Sequence, residues 1–210
     1  MKRILFAIVL ATVTLTLYGC GDHSSPPPTF VTQIVSNQSF DGDITKSPPG
    51  TFTIVSGPQS LFAGIDPTSQ AESRTFLDFP LTGAGGVPGS AVIVSATLDL
   101  FINSFRSTVS TIPMRIELVS FGSVLLAADY DSSPLTATVV TFPVLQSDSG
   151  RHVAVDVTSL MVAAQRLGLL NFQVRILEEF GPITPGLVEI NDTTGANRGA
   201  LAPLLEVTYS

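Results

Sequence analysis

From Phe30 onward the apolar positions of this chain recur mainly every second residue, the period of a half-buried β-strand. The clearest run puts Val92, Val94, Ala96, Leu98, Leu100 and Ile102 on one face and Ser95, Thr97 and Asp99 on the other. Met114, Ile116 and Leu118 alternate with Arg115 and Glu117, and Phe172, Val174 and Ile176 alternate with Gln173 and Arg175. Leu205, Val207 and Tyr209 alternate with Glu206 and Thr208 at the end of the chain. Turn-forming clusters separate such runs at intervals of about ten residues: Ser47-Pro48-Pro49-Gly50, Gly83-Ala84-Gly85-Gly86, Asp131-Ser132-Ser133-Pro134 and Asp148-Ser149-Gly150. Roughly ten short strands with this punctuation predict an all-β antiparallel sandwich. One stretch breaks the period. Thr158 to Leu167 predicts a short helix, capped by Asp156 or Thr158 and ended by a left-handed Gly168. Leu160, Ala163, Ala164 and Leu167 form its expected buried stripe, which makes the helix a lid over one open end of the sandwich.

The N-terminus follows different rules. Lys2 and Arg3 precede an apolar run from Ile4 to Leu17, shorter than the roughly 20 residues of a membrane span and suited to a secretory signal. Leu17-Tyr18-Gly19-Cys20 then resembles the lipobox of bacterial lipoprotein precursors, with Tyr18 bulkier than the residue usual there. The resemblance implies cleavage before Cys20, lipidation of Cys20 and, because Gly21 rather than aspartate follows, transfer to the outer membrane, on either its periplasmic or its surface side. An ordinary signal peptide or an uncleaved anchor is the alternative. Asp22 to Thr29 carries three consecutive prolines and reads as an extended stalk. The expected organisation is a signal peptide over 1–19, a lipidated linker over 20–33 and a β-sandwich domain over 34–210.

Composition narrows the partners. The 210 residues carry a net charge of −7, a single cysteine and no tryptophan. One cysteine excludes a disulfide framework within the chain. The arginines are scattered singly along an acidic chain, so nothing offers the clustered positive charge that nucleic acid needs.

Several short motifs carry a further resemblance. Arg74-Thr75-Phe76-Leu77-Asp78-Phe79 is followed by Ser95-Ala96-Thr97-Leu98-Asp99-Leu100, by Val155-Asp156-Val157-Thr158-Ser159-Leu160 and by Pro203-Leu204-Leu205-Glu206-Val207-Thr208-Tyr209. In that order they resemble the DNRLRE or disaggregatase-related domains of bacterial and archaeal surface proteins. The resemblance spans about Ile34 to Tyr209 and implies a jelly-roll sandwich, in some members a carbohydrate-binding module for acidic polysaccharides. Ala164 and Gln165 stand where the family has a helix tryptophan, and Phe79-Pro80-Leu81 replaces its Phe-Asp-Leu.

Candidate chemistry is sparse. His152 shares a strand face with Asp156, but four strand residues separate them by about 13 Å, so they form no local dyad. No nucleophile elbow is present, and the chain reads as noncatalytic. One folded-region histidine and one lipidated cysteine cannot make a zinc set. Asp41 and Asp43, in a turn, are the candidates for a structural calcium; no other cofactor is expected. The Gly83 to Gly89 loop lacks a P-loop lysine and reads as a strand connection. If Leu77 and Phe79 point inward, Arg74, Phe76 and Asp78 project from the opposite face, with Arg115 and Arg175 also outward. These five are the candidate ligand face, an arginine–aromatic–carboxylate surface for an acidic polysaccharide or matrix, with an envelope protein as the alternative partner.

Overall fold

The computed structural model describes residues 27–210. The expected signal peptide, Cys20 and most of the expected stalk lie outside the described residues. The described chain forms twelve strands, all paired antiparallel: β1 (Phe30–Val35), β2 (Gly42–Ser47), β3 (Thr51–Ser56), β4 (Ser60–Ile65), β5 (Glu72–Pro80), β6 (Ile93–Ser107), β7 (Thr111–Leu118), β8 (Val139–Leu145), β9 (Arg151–Asp156), β10 (Asn171–Glu178), β11 (Gly186–Asn191) and β12 (Leu204–Tyr209). Two helices complete it, α1 (Thr158–Arg166) and the single turn α2 (Arg198–Leu201). The first strand begins at Phe30, opposite Tyr209, so the sandwich starts four residues before the expected boundary at Ile34.

One layer runs β3-β2-β5-β10-β7-β8. The other is organised by the long β6, which carries β9 on one edge and β12 and then β11 on the other. The layers join where β4, paired with β11, also reaches β5 through Gly64 opposite Ser73 and Ile65 opposite Glu72. The result is a curled antiparallel sheet closed into a sandwich. Leu77, Phe79, Phe172, Val174, Ile176, Met114 and Ile116 from the first layer pack against Ala96, Leu98, Leu100, Ile102, Val188, Leu205 and Val207 from the second. Gly64 is required at the seam: its φ is +112°, and a Cβ there would meet the Gly186 carbonyl at 2.1 Å.

The alternation expected along β6 holds from Ala96 to Ile102 and fails before it. Thr208 faces Ser95 but Tyr209 faces Ile93, so Val94 is an extra residue, a bulge. The slip reverses the side-chain order: Ile93 packs on the core while Val92 and Val94 are exposed. The helix forms where expected and lies across the end of the sandwich, touching β6 of one layer and β7, β8 and β10 of the other. Asp156 accepts the first helical N–H, from Thr158, at 2.9 Å. At the other end Gly168 has φ +65°, with Gly168 N–H to Gln165 O and Leu169 N–H to Ala164 O, a Schellman closure. The buried stripe is Leu160, Met161 and Ala164; Leu167 is exposed. Among the described residues no helix is long and apolar enough to cross a membrane.

Candidate functional site

Arg74, Phe76, Asp78, Arg115 and Arg175 do lie on the opposite side of their strands from the core residues Leu77, Phe79, Ile116 and Ile176. That side is not solvated. After β7 the chain leaves the sheet at Val119, folds back over β10 and β5, and returns so that Leu135 N–H meets Leu118 O at 2.8 Å. The closed loop of residues 119–134 is an Ω-type cover. Its Val119, Phe121, Leu125 and Tyr130 form a second apolar cluster with Ile44 and Phe76. Phe76 and Phe121 meet edge to face at 5.5 Å between centroids.

The polar residues of this face hold the cover down. Arg175, 4% exposed, donates from Nε and Nη2 to Glu117 Oε2 at 3.0 and 2.5 Å and from Nη1 to the Tyr130 carbonyl at 2.8 Å. Arg74 donates to the same carbonyl at 2.6 Å, to Asp131 at 2.9 Å and to Glu72 at 2.8 Å. Its guanidinium lies 3.9 Å from the Tyr130 ring centroid. Burial pushes the Tyr130 phenol well above its ordinary range. The other oxygen of Glu117 takes Arg115 Nε at 2.9 Å. Asp78 is fully buried; its Oδ1 accepts from Asn171 at 2.8 Å and Gln173 at 2.9 Å. Four of the five predicted ligand residues are therefore buried, Phe76 completely, so the expectation of an open sugar-gripping face is corrected. Only Arg115 reaches the rim, bonded to Glu179 at 2.8 Å and set 4.9 Å from the ring of the exposed Phe180. Sequence reasoning missed the cover and its anchors Glu117 and Tyr130. The available signal was four large apolar residues in an irregular stretch, which needs something to bury them.

Asp41 and Asp43 are put to separate uses. Asp41 Oδ1 accepts the Asp78 N–H at 2.8 Å, and Asp43 Oδ2 accepts the Phe62 N–H at 3.3 Å. The charged neighbours of Asp41 are Asp192 and Arg198. Burial first, then the Asp192 charge, pushes Asp41 up to about 7; burial pushes Asp43 up to about 6. Among the described residues no three His, Cys, Asp or Glu side chains gather as a metal set.

His152 acquires a partner the strand spacing did not show. It lies opposite Phe101 on the β6–β9 ladder, two residues from the position opposite Asp99 and so on the same face, and its Nδ1 is 2.8 Å from Asp99 Oδ2. The dyad is half-exposed, rests edge-on against Phe101, and has no hydroxyl or thiol partner among the described residues. The Gly83 to Gly89 loop is a strand connection, with Gly85 O accepting from Thr32 of β1 at 2.6 Å. Beside it, Leu81, Val87, Met161, Gln165 and Leu170 line a largely apolar cleft of about 270 Å³ at the helix end.

No protein-family model matches the sequence. The comparison with curated proteins likewise gives no match. Among solved structures, a chain in the structure of the infectious bursal disease virus Gx strain aligns with 88% of this chain at 12% identity. Its TM-score is 0.17 and the alignment spans only 36% of the viral chain, a likeness too slight to bear on fold or function.

Proposed function

We propose that this chain is a noncatalytic β-sandwich module, held on the cell envelope by a lipidated Cys20 and a Pro-rich stalk, that works by contact with envelope proteins. The observation that carries this reading is the internal use of the polar face: Arg74, Arg175 and Glu117 are occupied in pinning the 119–134 cover. The module then meets its surroundings through its edges and loops. The lipobox-like Leu17-Tyr18-Gly19-Cys20 supports the anchor, and Gly21 supports an outer-membrane destination. Acyl chains contribute about 0.8 kcal/mol per buried methylene, so the several chains of a bacterial lipoprotein make a stable anchor. Mass spectrometry of the membrane-purified protein should find a mature chain that begins at an acylated Cys20. An unmodified mature chain in the soluble periplasm would overturn the anchor. Photo-cross-linking in intact cells from position 54 or 180 should give protein adducts of fixed mass; their absence, together with glycan capture, would overturn protein contact.

A second reading keeps the acidic polysaccharide or matrix ligand implied by the DNRLRE-like motifs. It is favoured by one feature, the exposed Phe180 beside Arg115 at the rim. An aromatic plane next to a guanidinium suits an acidic sugar. On a glycan array, Phe180→Ala and Arg115→Ala should then lower binding at least tenfold without changing the fold.

A further inference from the structure

Four described strands have a neighbour on one side only: β1, β3, β8 and β9. Such a strand offers a row of free N–H and C=O groups to any other strand, and folded proteins blunt it with proline, charge or a covering loop. β1 is flanked by the Gly83–Gly89 loop, which Thr32 holds through Gly85. β8 contains Pro143, and β9 carries Arg151, His152 and Asp156. β3 has no proline and no charge, and the 119–134 cover, which packs Tyr130 edge-on against Phe52 at 5.2 Å between centroids, makes no hydrogen bond to its outer N–H and C=O groups. Its sequence is Thr51-Phe52-Thr53-Ile54-Val55-Ser56, uncharged, rich in β-branched residues, free of proline and glycine, and every residue is exposed.

The hydrogen-bond phase of the β2–β3 hairpin fixes which groups are free. Gly57 N–H bonds Asp41 O at 2.8 Å, and the register then makes Asp43–Val55 and Thr45–Thr53 the bonded pairs. Phe52, Ile54 and Ser56 therefore direct their N–H and C=O outward. We propose that β3 is a self-pairing edge through which two copies of this chain join into one continuous antiparallel sheet about a two-fold axis at Ile54. In that register Ile54 faces Ile54 of the second copy, Thr53 faces Val55 and Phe52 faces Ser56, so all three outward residues use both of their groups. A register centred on Thr53 leaves Ser56 unpaired.

A second copy is the occupant because the strand complements itself. Its central cross-strand pairs, Ile54 with Ile54 and Thr53 with Val55, are β-branched residues of the kind that stabilise ladders, and Phe52 faces Ser56 at each end. The net −7 charge of the chain keeps copies apart elsewhere, but β3 brings no charge to the contact. An isologous two-fold pair is also the commonest form of self-association. This deepens the protein-contact function and rests on it, and the test separates the two.

The experiment uses the full chain in detergent, with light scattering up to roughly 1 mM, the range in which weak pairs form. Wild type should pass from monomer to dimer, while Ile54→Lys, which sets two like charges on the axis, should stay monomeric with an unchanged circular dichroism spectrum. Paired residues of an antiparallel ladder lie about 5.5 Å apart at Cα, within disulfide reach. Ile54→Cys should therefore cross-link under mild oxidation, and Thr51→Cys should not, each read against wild type to account for Cys20. A monomeric wild type would overturn self-pairing while leaving docking of a different envelope protein to its own test. A dimer that survives Ile54→Lys would overturn the assignment to β3.

Discussion

Glu117 shows what burial does to a charge pair. Its two oxygens serve two arginines, and with Arg175 it is almost wholly enclosed, the two side chains each 4% exposed. Desolvating both ions costs several kcal/mol, which their mutual attraction offsets only while both are present. Arg175→Ala, which leaves Glu117 Oε2 enclosed without a donor while Arg115 stays on Oε1, should cost about 2–3 kcal/mol. Arg115→Ala at the half-open rim should cost about 1 kcal/mol or less. Restoring neutrality with Arg175→Met and Glu117→Gln together should recover most of the loss. Urea unfolding of the single and double variants measures this; a double variant as unstable as Arg175→Ala would show that the pair does more than neutralise itself. The side on which these residues lie was legible in the alternation with Ile116 and Ile176. The cover was not, because an irregular loop has no period to reveal which face it will bury.

At the scale of elements, period and punctuation carried most of the fold. The predicted turns at Ser47–Gly50, Gly83–Gly86, Asp131–Pro134 and Asp148–Gly150 fall between strands except for Ser47, the last residue of β2, and Gly168 ends the helix in the left-handed conformation expected of it. Failures occurred where one residue changes the phase. The bulge at Val94 turns Val92 and Val94 outward, which no alternation count detects because Ala91, Val92, Ile93 and Val94 are all apolar. The helix stripe is rotated toward Met161 because α1 must reach both layers at once. The correction has a measurable consequence. Met161→Ala removes a fully enclosed side chain and should cost about 2–4 kcal/mol, whereas Leu167→Ala should stay within about 0.5 kcal/mol. Gly168→Ala, forced into a left-handed backbone, should cost about 1 kcal/mol. Thermal melts rank the three; Leu167→Ala falling as far as Met161→Ala would return the stripe to its predicted position.

For the whole molecule, the buried carboxylates set how stability responds to pH. A curled sheet splays where its layers part, and backbone N–H groups there lose strand partners. Asp41 takes the N–H of Asp78, Asp43 that of Phe62, and Glu178 those of Ile65 and Gly186. Each carboxyl thereby replaces a missing strand, at the cost of its own hydration. Burial is the main reason Asp41 and Glu178 rise to about 7 and Asp43 and Asp192 to about 6. A carboxyl with a raised folded pKa favours the fold while protonated. Its contribution is full below the unfolded value near 4 and is lost as pH rises through the folded value. Hydrogen bonds act oppositely at exposed positions: the Ser69 N–H lowers Asp66 and the Thr158 hydroxyl lowers Asp156, so their contribution is lost as pH falls below the usual carboxylate range. Stability should therefore peak at about pH 4–5 and decline steadily to about pH 7.5. Urea midpoints across that range measure it. Asp41→Asn, which keeps the side-chain oxygen for Asp78 N–H but cannot ionise, should flatten the decline between about pH 5 and 7. A wild-type midpoint that rises from pH 5 to 7.5, or an Asp41→Asn profile parallel to wild type, would mean that the seam carboxylates are not the groups that take up protons on folding.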